Sequence, residues 1–129
     1  MAEEGRSKQP ARSILIVDDE PAVRALAARL LRNAGHDVIE AGSGEEALSA
    51  VADRAELHML LTDVLMRGMS GSELADRLRS ERPGLRVLFM SGYPPKQVGI
   101  DPASNGDGFL EKPFAPVELS ALVDRILGG

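Results

Sequence analysis

Five short apolar runs, alternating with segments of helical periodicity, constrain the fold of this 129-residue chain more than any other feature. The runs occupy residues 14–17, 37–41, 59–61, 87–90 and 108–110. Each run is short enough to be a buried strand, and each connection is long enough for a right-handed crossover between parallel strands. The pattern therefore predicts an α/β fold, in which a five-stranded parallel sheet carries helices on both faces.

The commonest small arrangement of this kind is the flavodoxin-like doubly wound sheet, with strand order 2-1-3-4-5 and a switch point between strands 1 and 3. A short or irregular fourth helix is expected, because prolines and glycines interrupt the helical pattern at positions 94, 95, 99, 102 and 106. At most about one turn is predicted between Lys96 and Asp101. We expect low local stability and fast amide exchange in this segment.

Composition and charge exclude several classes of protein. With no cysteine, the chain can form neither a disulfide framework nor a thiolate metal site, which fits a reducing, cytoplasmic location. No apolar run approaches the ~18 residues that span a bilayer, and the polar residues 1–12 predict a flexible lead-in to one domain at 13–129. A net charge of −5 would repel nucleic-acid phosphates. We therefore expect neither a nucleic-acid nor a membrane partner for this domain.

Acidic side chains follow two of the predicted strands, at the point where each strand ends. Asp18 and Asp19 follow the first apolar run, and Asp63 follows the third. In the order 2-1-3-4-5 these strands are neighbours, so the three carboxylates would face one another across the crevice where ligands bind. Ser91 and Lys112 follow the fourth and fifth runs, and they would lie at the same edge of the sheet.

Three converging carboxylates raise one another's pKa unless a cation lies among them. Oxygen ligands suit a hard divalent ion, and Mg²⁺ in particular, because Mg²⁺ binds a few carboxylates and keeps several waters. A lysine and a hydroxyl beside the carboxylates can hold an anion that one carboxylate carries. Together, these are the groups needed to stabilise a transferring phosphoryl group.

The sequence resembles the receiver domains of bacterial response regulators in two-component signalling, over roughly residues 13–127. The motifs that carry the resemblance are Ile-Leu-Ile-Val-Asp-Asp-Glu at 14–20, Thr-Asp at 62–63 with Met66, Gly68, Met69 and Gly71, Met-Ser-Gly at 90–92, and Lys-Pro-Phe at 112–114. Residues 82–85 and 90–93 look most like those of receivers attached to hybrid histidine kinases.

The resemblance implies that Asp63 accepts a phosphoryl group from a histidine kinase or a histidine phosphotransfer protein. It also implies a bound Mg²⁺ (or Mn²⁺), with Asp19 as a direct ligand and Asp18 acting largely through water. Asp63 and the backbone carbonyl of Leu65 would complete the protein ligands. The domain would then be a signalling phosphoacceptor and not an enzyme, and its phosphorylation would switch a surface that binds an unknown downstream protein.

The resemblance assigns roles to further residues around Asp63. Ser91 and Lys112 would hold the phosphoryl oxygens, and Phe109 matches an aromatic switch position that turns inward when the hydroxyl residue moves toward the phosphate. Leu65 and Tyr93 match the two positions that flank the path of an attacking water. Because neither side chain offers a carboxylate or an amide to orient that water, we expect slow self-dephosphorylation.

Two features depart from the family pattern. Arg67 stands where the family usually has proline, so the loop after Asp63 is expected to be less rigid. The other departure is the interrupted fourth helix. The family's common dimer face uses that helix, and we therefore expect a monomer or a dimer formed through a different contact.

Three alternatives use similar residues. A flavodoxin-like flavin carrier would need a phosphate loop rich in serine, threonine and glycine after the first strand, where this chain has Asp18, Asp19 and Glu20. A dehalogenase-like phosphatase would form its aspartyl phosphate on the first strand, at Asp18. A degenerate receiver would have lost part of the site, and no part is missing here. The sequence leaves open whether the chain is a stand-alone regulator or a receiver from a longer protein.

Overall fold

A five-stranded parallel sheet forms the centre of the computed structural model, which describes residues 11–101 and 107–128. The strands are β1 (Ser13–Val17), β2 (Asp37–Ala41), β3 (Met59–Asp63), β4 (Arg86–Ser91) and β5 (Gly108–Glu111). The helices are α1 (Pro21–Asn33), α2 (Gly44–Val51), α3 (Gly71–Glu81) and α4 (Pro116–Gly128). The strand order β2-β1-β3-β4-β5 confirms the prediction. Among the residues described, no helix is both long and apolar enough to cross a membrane.

Side chains from the two faces of the sheet form two separate apolar clusters. One cluster contains Ile14 and Ile16 of β1 and packs beneath α1 and α4. The other contains Leu15 and Val17 and packs beneath α2 and α3. Successive strand residues point to opposite faces, and all four of these side chains are fully buried. A strand covered on both faces needs the continuous apolar run that the sequence shows.

The segment between β4 and β5 contains a 3₁₀ turn at Pro95–Val98 in place of a regular helix. The turn ends at Gly99, whose φ of +75° lies in the left-handed region that favours glycine. Val98 and Ile100 are half-buried and pack against the cluster beneath α2 and α3. The prediction of a short or irregular fourth helix is confirmed for the described residues, while Pro102 and Gly106 lie outside them.

A capping box and a glycine close the loop between β3 and α3. Ser70 Oγ accepts a hydrogen bond from the Glu73 N–H, and the Glu73 carboxylate accepts one from the Ser70 N–H, both at 3.1 Å. The Gly71 N–H donates to the Val64 carbonyl at 2.9 Å. A Cβ on Gly71 would lie only 2.1 Å from the backbone oxygen of Asp63. The first turn of α3 therefore packs directly against the strand end that carries Asp63.

Candidate functional site

Carboxylates from β3 and from the turn between β1 and α1 converge at the carboxyl edge of the sheet. Asp18, Glu20 and Asp63 each place one carboxylate oxygen within 4.8 Å of the others. Asp18 and Asp63 are buried, whereas Glu20 is exposed. Because β1 and β3 are adjacent, this edge is the switch point of the sheet, where ligands bind in open α/β folds.

The structure brings Glu20 into this cluster, although the sequence motifs assigned it no role. Asp19 is exposed and is not one of the three clustered carboxylates, but its charge contributes to raising the pKa of Asp63. A run of three acidic residues indicates that some of them face the site. Which of them do so depends on the path of the turn between β1 and Pro21, the first residue of α1.

The ammonium of Lys112 lies among the three clustered carboxylates. Its Nζ is 2.9 Å from Asp18 Oδ2, 3.0 Å from Glu20 Oε1 and 3.4 Å from Asp63 Oδ2. Burial lowers the pKa of Lys112, but its contacts with the neighbouring carboxylates outweigh burial, and the net effect raises the pKa. Lys112 is therefore charged at any physiological pH.

Burial has the largest effect on the acidity of Asp63. The loss of water contact raises the pKa of Asp63 to about 6, against the lowering effect of Lys112. The negative charges of Asp18 and Asp19 make smaller contributions to this raised pKa. At neutral pH the Asp63 carboxylate is mostly ionised although it is poorly hydrated, and such a group is stabilised by a nearby cation.

Asp18 provides the test of whether these residues suit a divalent ion. Its N–H donates to the Ala41 carbonyl at 3.2 Å, and its Oδ1 accepts a hydrogen bond from the Glu20 N–H at 3.0 Å. Its buried Oδ2 makes no regular hydrogen bond with the described residues, so the 2.9 Å contact with Lys112 is an ion pair. A buried carboxylate oxygen with only an ionic partner, beside two further carboxylates, fits a hard oxygen-binding cation.

Ser91 and Lys112 share a cleft of about 520 Å³ with Asp63. Ser91 ends β4 and is buried, and its Oγ accepts a hydrogen bond from the Tyr93 N–H at 3.1 Å. The Lys112 N–H donates to the Ser91 carbonyl at 2.8 Å, so these two residues leave neighbouring strands together. A carboxylate, an ammonium and a hydroxyl in one cleft can bind and stabilise an anionic group.

Two exposed side chains line the same cleft. Leu65 follows β3 and is 53% exposed, and Tyr93 follows Ser91 and is 50% exposed. Phe109 is half-buried on β5 and packs against the apolar cluster beneath α2 and α3. Arg67 is exposed in the loop after β3. The predicted site residues therefore occupy the carboxyl edge and its rim, except for Phe109, which packs into a core cluster.

Comparison with known proteins agrees with this geometry. The family described as response regulator receiver domain matches residues 14–124. The sensor kinase CckA of Brucella abortus is 37% identical over 117 residues, which make up 89% of this chain and 12% of the kinase. The crystal structure of the receiver domain from the hybrid histidine kinase CckA matches with a TM-score of 0.76 and 37% identity, covering 89% of this chain and 98% of that one. The response regulator TrrA of Thermotoga maritima, crystallised with Mg²⁺–BeF, matches with a TM-score of 0.77 and 28% identity, covering 90% and 99% of the two chains.

The fold and the acidic edge define a class of α/β signalling domains that act as phosphoacceptors. The chain belongs to the response regulator receiver domain family of two-component systems. The predicted similarity to receivers of hybrid histidine kinases is confirmed by the match to CckA. The chain spans about half or less of the length of the curated relatives it matches.

Proposed function

We propose that Asp63 accepts a phosphoryl group from the phosphohistidine of a histidine kinase or a histidine phosphotransfer protein. An Asp63 carboxylate oxygen forms a bond to phosphorus, the nitrogen–phosphorus bond of the donor breaks, and the donor imidazole takes up a proton. The observation that carries this proposal is the buried Asp63 carboxylate, 3.4 Å from the Lys112 ammonium in a cleft that also contains Ser91. Lys112 and the Ser91 hydroxyl would stabilise the charge on the phosphoryl oxygens.

A divalent cation would be held by Asp18, Asp19, Asp63 and the backbone carbonyl of Leu65, with Glu20 as an additional carboxylate of the cluster. When bound, Mg²⁺ would supply positive charge that neutralises the phosphoryl oxygens. Mn²⁺ would be accepted at the same residues, because it also prefers oxygen ligands. The carboxylates that now contact Lys112 would then face a divalent charge, which would leave the Lys112 ammonium available to the phosphoryl group.

The wall of the cleft supports a protein as the phosphoryl donor. Val23 and Leu26 of α1, together with Pro113 and Phe114 after β5, line the cleft beside the carboxylates. Apolar side chains that are grouped at the surface beside polar residues are typical of sites that bind another protein. The net charge of −5 argues against a nucleic-acid ligand. We propose a monomeric receiver over residues 13–129, after a lead-in at 1–12.

We further propose that phosphorylation acts on a partner-binding surface through Ser91 and Phe109. A phosphoryl group on Asp63 adds close to two negative charges and three acceptor oxygens. Ser91 and the loop after it would move toward Asp63, and Phe109 would change rotamer. Adding Mg²⁺ and beryllofluoride is therefore expected to shift amide resonances as far as Phe109. Shifts confined to the residues that line the cleft would contradict this switch.

Intact-mass measurement after incubation with Mg²⁺ and acetyl phosphate tests the phosphoacceptor. The unmodified chain is expected to gain the mass of one phosphoryl group, and Asp63→Asn is expected to gain none. Asp53→Asn is the matched control, because it removes an exposed carboxylate just after α2. Peptide mapping then distinguishes the alternatives, since a phosphatase of the dehalogenase type would carry the group on Asp18. Phosphorylation of the Asp63→Asn protein would overturn the assignment.

A further inference from the structure

One arginine outside the acidic cluster contacts the backbone of Asp18. Arg24 lies in the first turns of α1, and its Nη1 donates a hydrogen bond to the Asp18 carbonyl oxygen at 2.7 Å. The N–H and Oδ1 of Asp18 bond to Ala41 and Glu20, and its Oδ2 pairs with Lys112. With the Arg24 contact, every polar atom of Asp18 has a partner, and each partner comes from a different part of the fold.

The guanidinium of Arg24 is itself held from a second side. Its Nε lies 3.5 Å from Glu40 Oε1 on β2, and the two side chains are 23% and 30% exposed. Arg32 approaches the other oxygen of Glu40 at 3.0 Å and donates to the Val38 carbonyl at 3.1 Å. Glu40 therefore pairs with two arginines of α1, Arg24 and Arg32, through its two carboxylate oxygens.

The glycine after β2 leaves room for this arrangement. A Cβ on Gly42 would lie 3.3 Å from Arg24 Nη1, closer than side chains normally approach. The fork of an arginine can reach the Asp18 carbonyl and the Glu40 carboxylate together, whereas a lysine has one nitrogen for both. Local structure thus favours an arginine with a fixed orientation at this position.

We propose that Arg24 is a positioning residue for the cation site, and that it raises the affinity for a divalent ion by fixing the turn that carries the Asp18 carboxylate. This inference rests on the proposed function, because it concerns the same cation. Arg24 does not need to touch the ion. Residues that orient a metal ligand through a hydrogen bond typically contribute about 10–100-fold to metal affinity.

The direction of the effect separates this role from simple electrostatics. Removing a positive charge near a carboxylate cluster strengthens cation binding, because one source of repulsion is lost. Removing a residue that orients the cluster weakens cation binding. If Arg24 only connected α1 to β2, replacing it would lower thermal stability. The affinity for the cation would then change only as expected from the loss of one positive charge.

The test is an NMR titration of Arg24→Met with Mg²⁺, followed through the amides of the cleft, beside wild type and Arg29→Met. Arg29 is an exposed arginine of the same helix, so its variant loses the same charge. We expect the Kd for Mg²⁺ to rise about 10-fold in Arg24→Met, and to stay unchanged or fall in Arg29→Met. In the metal-free protein, the Glu20 N–H, which donates to Asp18 Oδ1, is expected to exchange faster in Arg24→Met alone.

Each outcome has a defined meaning. A Kd in Arg24→Met equal to or below that of Arg29→Met would overturn the inference and leave the proposed function intact. If wild type bound no Mg²⁺, both would be overturned together. Should Arg24→Met fail to fold, Arg24→Lys carries the test, because it keeps the charge. A Kd several-fold above wild type would then support the inference, and a wild-type Kd would overturn it.

Discussion

Two connections that leave neighbouring strands are built in opposite ways. The loop between β3 and α3 is closed by the capping box at Ser70 and by Gly71, which packs against the Asp63 backbone. The connection between β4 and β5 contains the 3₁₀ turn Pro95–Val98, and the side chains of Val98 and Ile100 there are only half-buried. The comparison shows that Asp63 lies against a closely packed backbone, whereas the apolar side chains of Val98 and Ile100, after Ser91, are only half-buried.

Amide hydrogen exchange should show the largest difference between the two connections. The Val64 N–H donates to the Met90 carbonyl, and the Gly71 N–H donates to Val64, inside the packed edge of the sheet. The Gln97 and Ile100 N–H groups donate only within the turn. Opening free energies at Val64 and Gly71 are expected to exceed those at Gln97 and Ile100 by several kcal/mol, approaching the global value. Equal protection in both connections would break the comparison.

Alanine substitutions should produce the next largest contrast. Gly71→Ala would place a Cβ against the Asp63 backbone, so the free energy of unfolding is expected to fall by about 3 kcal/mol. Gly99→Ala meets no atom but must keep a positive φ, which costs about 1 kcal/mol. Gly84→Ala is the control, with open space and no positive φ. Urea denaturation measures all three, and a Gly71→Ala protein as stable as Gly84→Ala would mean that the close approach is relaxed in solution.

The lifetime of the phosphorylated state is expected to depend on one residue from each connection. Leu65 lies in the first and Tyr93 in the second, and both line the cleft without a carboxylate or an amide to orient water. Leu65→Asn combined with Tyr93→Glu is expected to accelerate loss of the phosphoryl group about 10²-fold in Mg²⁺ buffer. Val117→Asn, at an exposed position of α4, should leave the rate unchanged. Wild-type decay as fast as that of the double variant would contradict slow self-dephosphorylation.

Replacing either of two aspartates with largely buried carboxylates, one beside each connection, by asparagine should change the free energy of unfolding with opposite signs. Burial raises the pKa of Asp63 from 3.8 to about 6, so folding is disfavoured as the carboxylate ionises. Without metal, wild-type stability is expected to fall as the pH rises from about 4 to about 6. Asp63→Asn should lack this fall and be about 2 kcal/mol more stable at neutral pH. Asp107 is instead buried in an ion pair with Arg79, and Asp107→Asn should cost about 1.5 kcal/mol.

Urea denaturation of both asparagine variants in EDTA, across this pH range, distinguishes these signs. In that experiment a destabilised Asp63→Asn protein would show that Lys112 more than compensates for the burial of the Asp63 carboxylate. The same result would mean that the ionised Asp63 carboxylate does not destabilise the folded protein. Both asparagine variants would then be destabilised, and the contrast between the two aspartates would disappear.

The fold and the position of the site could be predicted because both follow from the chain's local pattern. An apolar run such as β1 has to be covered on both faces, and parallel strands place their carboxyl ends on one edge. Asp18, Asp63, Ser91 and Lys112 occupy that edge for this reason. The absence of a regular helix between β4 and β5 could also be predicted, because proline and glycine disrupt a helix locally.

The rest could not be predicted, because it depends on side chains that meet only in the folded chain. Glu20 reaches the cluster through the path of the turn before Pro21, and Arg24 reaches Asp18 with a long side chain held by Glu40 on another strand. The residual turn between β4 and β5 also begins at Pro95, ahead of the predicted range. Val98 and Ile100 pack against the apolar cluster beneath α2 and α3, and that contact forms only in the folded chain.

The late position of Lys112 in the sequence also affects the order in which the site assembles during synthesis. During synthesis, the residues that supply Asp18, Glu20 and Asp63 leave the ribosome well before Lys112, which is 92 positions after Glu20. Until β5 joins the sheet, the crowded carboxylates have no ammonium among them, and their mutual repulsion opposes docking of β1 on β3. Arrival of the last strand therefore completes the sheet and, in the same step, places one positive charge among the three carboxylates.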